Sequence, residues 1–405
     1  MTYSEAIDWI YSTQNFGIKL GLDTSTELLA QFLAFPKHDT KVIHVAGTNG
    51  KGSTCALIDS LARSQGLRVG LFTSPHLVDF RERFRVNGEM ISEETTAKYL
   101  TEIKELVENW EHHPTFFEIA LALGMKFFRE INCELIVLET GMGGRLDATT
   151  AVPADLCVLT PIGMDHSEWL GETLAEVAGE KAGIIVSEAP VISAVQEKAA
   201  SRAIAVQANR MRAPLTVVTE PVLSYSVGLA GAHQRENAAL ALEALHELGI
   251  EMRYDSVRDG LANVVWPGRF EVLSTSPLIV LDGAHNSHAA HVLVRTWKEN
   301  YGDLKPTVIF GATERKDLGE VIEALAEIAG KFIFSPIDSS RSIQFSDLLD
   351  LKALDKDNID EAKNMCDAFK VAEGEKLPIL ITGSLYLLGE YYAFARNVEH
   401  IPTRQ

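Results

Sequence analysis

The run Gly47-Thr48-Asn49-Gly50-Lys51-Gly52-Ser53 has the residue types that hold phosphate. Glycines let backbone N–H groups turn inward around phosphate oxygens, and a helix N-terminus adds positive potential. An apolar, strand-like stretch at 42–46 precedes the run, and a helical pattern at 53–65 follows it. A phosphate loop requires that context. Here Lys51 would reach the β- and γ-phosphates of ATP, and Ser53 would face Mg²⁺. The spacing is not the usual G-x-x-x-x-G-K-[ST]: two residues separate Gly47 from Gly50-Lys51, and Gly52 stands before Ser53. The bland alternative is a glycine-rich turn.

Other chemistry-bearing residues follow strand-like runs. Glu139 ends Leu-Ile-Val-Leu-Glu; a carboxylate at the end of a buried strand can hold Mg²⁺, a hard cation that prefers oxygen. An ordinary strand-end glutamate is the alternative. Asp165-His166 follows another strand, and with Glu139 and Ser74 the histidine could complete a second metal site, although a lone histidine is more often structural. Lys181 stands in Ala-Gly-Glu-Lys-Ala-Gly-Ile on a helix, either solvated or held neutral and reactive, including toward CO₂. Residues 80–85, Phe-Arg-Glu-Arg-Phe-Arg, alternate aromatic and basic types: an exposed strand face, or a local anion clamp. Further on, Asp282-Gly283-Ala284-His285-Asn286 follows a strand and opens a helix. Arg269 stands at an interdomain junction, from which it could reach a nucleotide or form a linker salt bridge.

These residues need a scaffold. The first 40 residues read as helical, with capping-box spacing at Thr2/Glu5 and Thr24/Glu27. Strand-like runs follow at 42–46, 68–72, 135–139, 156–160 and 190–194. Helical patterns alternate with them at 53–65, 93–109, 116–130, 174–184 and 235–248. Such alternation predicts βαβ units and a mostly parallel sheet. Trp266-Pro267-Gly268 interrupts the rhythm, which resumes with strands at 278–281, 307–310, 331–334 and 378–381. The sequence predicts two α/β domains, residues 1–267 and residues 268–405. In open α/β sheets, ligands bind beyond the carboxyl ends of the strands, where these motifs fall.

Composition narrows the function. The 405 residues carry a formal net charge of -19 with no basic tail, which argues against a general nucleic-acid binder. The four cysteines, Cys55, Cys133, Cys157 and Cys366, form no Cys-x-x-Cys pair, so buried free thiols in a reducing compartment are expected. The N-terminus lacks signal-peptide features, and no apolar run nears the ~20 residues that span a bilayer. The expectation is a cytoplasmic protein, monomeric, without membrane or nucleic-acid partners.

Taken in order, the motifs resemble those of the folylpolyglutamate synthases and dihydrofolate synthases within the Mur ligase superfamily. The resemblance spans nearly the whole chain. It runs through Leu20-Gly21-Leu22, the 47–53 loop, Ser74-Pro75-His76-Leu77 with Glu82-Arg83, and Thr115-Phe116-Phe117-Glu118. It continues through residues 139–149, Asp165-His166, residues 180–184, His233-Gln234 with Asn237-Ala238, residues 267–271, residues 282–286 and Thr382-Gly383-Ser384. Thr150 and Ser287 depart from the Asn and Pro that the family often carries there; neither change removes a charge or a phosphate contact.

The resemblance implies a P-loop ATPase domain followed by a smaller Rossmann-like domain. It implies ATP-dependent addition of L-glutamate to the carboxylate of a reduced folate, or of dihydropteroate, through an acyl phosphate. Thr48, Asn49, Gly50, Lys51, Gly52 and Ser53 would bind the ATP phosphates, and Asn237, Arg269 and Asp282 the rest of the nucleotide. Ser53, Ser74, Glu139 and His166 would hold Mg²⁺. Lys181 would be carbamylated, and His285 would lie near the incoming glutamate; with Lys51 these form the catalytic set. Thr115, Phe117, Arg83 and Asp147 would border the pterin-bearing substrate. Three rivals remain. A cell-wall Mur ligase would carry an extra N-terminal domain, for which 46 residues leave no room. A phosphate-loop kinase or switch NTPase would not need the 282–286 region. A nucleotide-gated protein without ligase activity would not need Lys51, Glu139, His166 and Lys181 together.

Overall fold

The computed structural model describes residues 1–16, 21–314, 317–351, 353–354 and 356–398. Leu20 of the Leu20-Gly21-Leu22 motif lies outside the described residues, as does the end of the 268–405 unit from 399 onward.

Among the described residues, fourteen strands form two sheets. The first contains β1 (Lys41–Ala46), β2 (Val69–Phe72), β3 (Phe84–Val86), β4 (Glu89–Met90), β5 (Leu135–Glu139), β6 (Leu156–Leu159), β7 (Val191–Ala194) and β8 (Leu215–Val218). Their order is β4-β3-β2-β5-β1-β6-β7-β8. The second contains β9 (Glu271–Thr275), β10 (Leu278–Asp282), β11 (Thr307–Phe310), β12 (Lys331–Phe334), β13 (Ile359–Glu361) and β14 (Ile379–Thr382), ordered β13-β12-β11-β14-β10-β9. Pairing is parallel except at β3, β4 and β9. This is the expected α/β architecture in both halves. Its central strands are buried on both faces, as parallel strands under helices must be: β2, β5, β6, β7, β11 and β14 are buried at every residue.

The order positions the chemistry. β1 runs between β5 and β6. The carboxyl ends of these three strands therefore lie side by side, and they deliver residue 47 onward, Glu139 and residue 160 onward to one edge. In the second sheet β10 lies beside β14, which brings Asp282–Asn286 next to Gly383-Ser384. Helix Lys51–Ser64 leaves the loop after β1 with Gly52 to Ala62 all buried, packed between the first sheet and the helices Ala232–Glu247 and Tyr254–Ala262.

Two local expectations are corrected. Thr2 and Glu5 do form a reciprocal capping box, but Thr24 does not cap: helix Asp23–Gln31 starts two residues earlier than that cap would place it, after Leu22, with no side-chain cap. Residues 80–85 are not an exposed strand face. Asp79 and Glu82 cap a 3₁₀ turn at Phe80–Arg83, and β3 begins only at Phe84. The turn breaks the two-residue period and buries Phe80, Arg83 and Phe84 together. Of the cysteines, Cys55, Cys133 and Cys157 are buried and Cys366 is half-buried.

Candidate active site

A cleft of about 870 Å³ runs between the two sheets' domains. Sixteen of the eighteen residues singled out above line it; Arg83 and Lys181 lie behind its wall.

The phosphate loop is held by its neighbours. The backbone N–H groups of Thr48 and Asn49 donate to the Pro161 carbonyl (3.0 and 3.2 Å), and the Thr48 hydroxyl donates to Gly163 O (2.9 Å). Gly50 has φ +86°, and a Cβ there would stand 2.7 Å from Asn237 Oδ1, so the turn requires glycine. Lys51 lies back across the loop and donates from Nζ to Gly47 O (3.1 Å) and Thr48 O (3.2 Å). Lys181 donates to the same Gly47 carbonyl from behind (2.9 Å). Burial, reinforced by the Lys51 charge, pushes the Lys181 pKa down to about 7. A substantial fraction is thus a neutral amine at neutral pH.

Glu139 stands at the end of β5, buried, with Ser74 N–H donating to Oε2 (3.0 Å). Burial pushes its carboxyl pKa up, while Lys51, the Ser74 N–H, Arg269 and Arg83 pull it down. Ser53 is buried, and its Oγ accepts from Gln234 Nε2 at 3.4 Å. These oxygens suit Mg²⁺, which takes one or two carboxylates and completes its shell with phosphates and water. The donors present, beside a glycine cradle that a Cβ would fill, fit ATP with Mg²⁺. Among the described residues no three His, Cys, Asp or Glu side chains converge as metal ligands. His166 lines the same cleft, with Nε2 3.8 Å from Asp165 Oδ2.

On the far side, Asp282 ends β10. Its Oδ2 accepts from Phe270 N–H and its Oδ1 from Ala284 N–H, both at 2.8 Å. Burial raises its pKa and the nearby Arg269 lowers it. Arg269 Nη1 donates to Gly268 O (3.2 Å). His285 Nδ1 lies 2.9 Å from Gly283 O. Asn237, buried on helix Ala232–Glu247, donates to Gln234 Oε1 (2.9 Å).

The third wall is apolar. Thr115 and Glu118 form the capping box of helix Phe116–Glu130, and Ser25 Oγ donates to Glu118 Oε1 (2.9 Å). The Phe117 ring crosses Phe72 edge-on at 5.7 Å. Asp147 accepts from Met142 N–H (2.8 Å), from Thr149 N–H (3.0 Å) and from the Thr149 hydroxyl, so much of its carboxylate is spent tying the 141–149 loop. Arg83 is fully buried. Burial lowers its pKa to about 10, which leaves it charged.

Three participants escaped the sequence reading: Gln234 against Ser53, Asn286 against Asn49, and His76 against Arg83. The first was signalled by its place beside Asn237 in a quoted motif. His76 and Asn286 also stand in quoted motifs; the Asn49–Asn286 pairing spans 237 residues and His76–Arg83 only seven, and in neither case does the local sequence mark the partner.

The chain is similar to known proteins in sequence and fold. The Mur ligase middle domain matches residues 45–210, and the Mur ligase glutamate ligase domain matches residues 268–385. The chain is 35% identical to the dihydrofolate synthase/folylpolyglutamate synthase of Bacillus subtilis (strain 168), over 96% of this chain and 98% of that protein. The solved structure of Escherichia coli FolC in complex with DHPP and ADP superposes with a TM-score of 0.87 at 30% identity, over 97% and 98% of the two chains. A bifunctional folylpolyglutamate synthase/dihydrofolate synthase with Mn, AMPPNP and L-glutamate bound gives 0.85 at 26% identity, over 97% and 98%.

Proposed function

The chain belongs to the folylpolyglutamate synthase and dihydrofolate synthase family of Mur ligases, ATP-dependent ligases that join glutamate to a folate or pteroate carboxylate, and we propose that it accepts both a reduced folate and dihydropteroate. One observation supports this most: a phosphate loop, an apolar aromatic wall and the loop after β10 face one another across a single cleft. ATP, a flat pterin-bearing acceptor and an amino acid need those three surfaces. The relative from Bacillus subtilis, matched over 96% of this chain and 98% of that protein, is named for both activities.

The roles follow from chemistry. A carboxylate does not condense with an amine unaided. The γ-phosphoryl group moves to a carboxylate oxygen, ADP leaves, and an acyl phosphate results. The glutamate amine then attacks the acyl carbon, loses a proton and expels phosphate. Lys51 and the loop N–H groups would align the γ-phosphoryl group. Glu139 and Ser53, with Ser74 and His166 nearby, would hold Mg²⁺, which supplies charge neutralisation. Asn237, Arg269 and Asp282 would hold the rest of the nucleotide. Residues 268–405, with His285, would hold the amine close to the acyl carbon, where proximity lowers the barrier. Thr115, Phe117 and Asp147 would border the acceptor. Lys181, as a carbamate, would add a carboxylate behind the loop.

The test is phosphate release from ATP by the purified chain with Mg²⁺ and L-glutamate, adding tetrahydrofolate or dihydropteroate in separate reactions. Release with both is expected. Release with one alone makes the enzyme monofunctional, and release with neither overturns the reading.

A further inference from the structure

Arg83 is the buried charge that the fold does not use up. Its side chain is fully inaccessible, and Nη1 and Nη2 have no hydrogen-bond partner among the described residues. Buried charges are ordinarily paired, because an unpaired one is costly to desolvate. The surrounding carboxylates are committed elsewhere. Glu82 accepts from the backbone N–H groups of Leu77, Val78 and Asp79 (2.8, 3.1 and 3.0 Å). Glu139 accepts from Ser74 N–H. Asp79 pairs with Arg81 (2.6 Å).

The side chain is nevertheless held in place. Arg83 Nε donates to His76 Nδ1 at 2.8 Å. That bond fixes the His76 tautomer: Nδ1 accepts, so Nε2 carries the proton toward the Tyr11 hydroxyl 2.9 Å away. The guanidinium carbon lies 5.2 Å from the Phe116 ring centre, a stacking distance for cation and aromatic face. The free edge of the fork is the part left over. The guanidinium as a whole lies in the field of Tyr11, Tyr386, Glu139 and Glu82. Phe116, Glu139 and Tyr386 all line the cleft. Arg83 therefore lies directly behind the wall where acceptor, phosphate side and second domain meet.

We propose that Arg83 is a carboxylate-binding residue of the ligation centre, its two unpaired nitrogens receiving a substrate carboxylate as a bidentate pair once that wall opens. A planar fork matches a carboxylate's two oxygens in a way an ammonium does not. The proposal rests on the ligase reading above. That reaction brings two sources of carboxylate to this point: the acceptor, and the incoming glutamate.

The experiment uses the full chain and the variants Arg83→Met and Arg83→Lys, with KM measured separately for acceptor, glutamate and ATP. Arg83→Met is expected to raise one carboxylate substrate's KM by about tenfold or more, with ATP KM little changed. Arg83→Lys should recover only part of that loss. A rise confined to the acceptor identifies the acceptor carboxylate, and a rise confined to glutamate identifies the amino acid. Unchanged KM values for both in a folded Arg83→Met overturn the role of Arg83 alone, whereas failure of the wild-type chain to release phosphate overturns the ligase reading. Should Arg83→Met not fold, a crystal structure of the wild-type chain with AMPPNP, Mg²⁺, acceptor and glutamate decides. A carboxylate oxygen within about 3 Å of Nη1 or Nη2 is expected, and a guanidinium without one overturns the proposal.

Discussion

Asn49 of the phosphate loop and Asn286 of the loop after β10 exchange side-chain amide hydrogen bonds across the two domains. Asn286 Nδ2 donates to Asn49 Oδ1 at 3.0 Å, and Asn49 Nδ2 donates back to Asn286 Oδ1 at 3.3 Å. Asn286 also caps helix Ser287–Tyr301 by accepting from Ala289 N–H (2.9 Å). One residue thus fixes a helix of the second domain and touches the loop that would hold ATP. Asn286→Ser keeps a capping oxygen but cannot return the amide bond. It is predicted to lower kcat about tenfold, with a loss on the order of 1 kcal/mol of coupling between the domains. Kinetics of Asn49→Ala, Asn286→Ser and the double variant check this. Simple additivity of the two effects would show that the pair does not act as a unit.

Gly50→Ala is predicted to abolish productive ATP binding while the fold survives. Left-handed backbone costs a residue with a Cβ about 1–2 kcal/mol, and here the added carbon would also meet Asn237 Oδ1 at 2.7 Å. Relieving that contact moves either the loop or Asn237. Calorimetric titration with ADP reads the loss directly. Wild-type affinity in the variant would mean that the loop tolerates the displacement.

The residues behind these two predictions were not equally legible in the sequence. The 47–53 loop could be read because glycines, lysine and serine fall between a strand pattern and a helix pattern, so local chemistry and local structure agree. The central strands were legible for a similar reason: buried parallel strands are short continuous apolar runs, as at Leu135–Glu139 and Thr307–Phe310. β4, β8, β9 and β13 were missed. They are edge strands with exposed or half-exposed residues, so no apolar run marks them. Arg83 was named for its neighbourhood, yet its burial was invisible, because an alternating Phe-Arg pattern reads as a strand until the Asp79–Glu82 cap turns it. The Asn49–Asn286 pair spans 237 residues and depends on how two domains dock, which no local window encodes.

Thr149 links two buried titratable groups. His44 Nε2 lies 2.6 Å from Thr149 Oγ1, and that hydroxyl donates to Asp147 Oδ1. The hydroxyl proton is spent on Asp147, so His44 must donate from Nε2. Burial holds the imidazole pKa down to about 3, which keeps it neutral. Thr149→Val leaves a buried N–H without an acceptor and is predicted to destabilise by about 1–3 kcal/mol. Adding His44→Leu should return part of that loss, since replacing both partners by apolar groups removes the orphan. Urea unfolding of the single and double variants measures it. A double variant as unstable as the sum of the two singles would argue against the link.

Lys181 makes stability depend on pH in a direction that can be stated beforehand. Its pKa is about 7 in the folded chain against the ordinary lysine value of 10.5, with burial the main cause. Between these values the unfolded chain binds more protons than the folded one, so this group's contribution to stability rises with pH. Below about pH 7 the full penalty of burying the ammonium is present, on the order of a few kcal/mol; above about pH 10.5 both states are neutral and it is gone. Lys181→Met removes the charge at the cost of the bond to Gly47 O, worth about 1 kcal/mol. In CO₂-free buffer the variant should be more stable than wild type at pH 6.5, and the difference should shrink steadily toward pH 10. Urea unfolding across that range gives the slope. A difference that stays flat with pH would mean that Asp165 and Asp147, which favour the charged form, hold Lys181 as an ammonium throughout. The neutral amine needed to capture CO₂ as a carbamate would then be scarce, and the carbamate role proposed for this residue would fail with it.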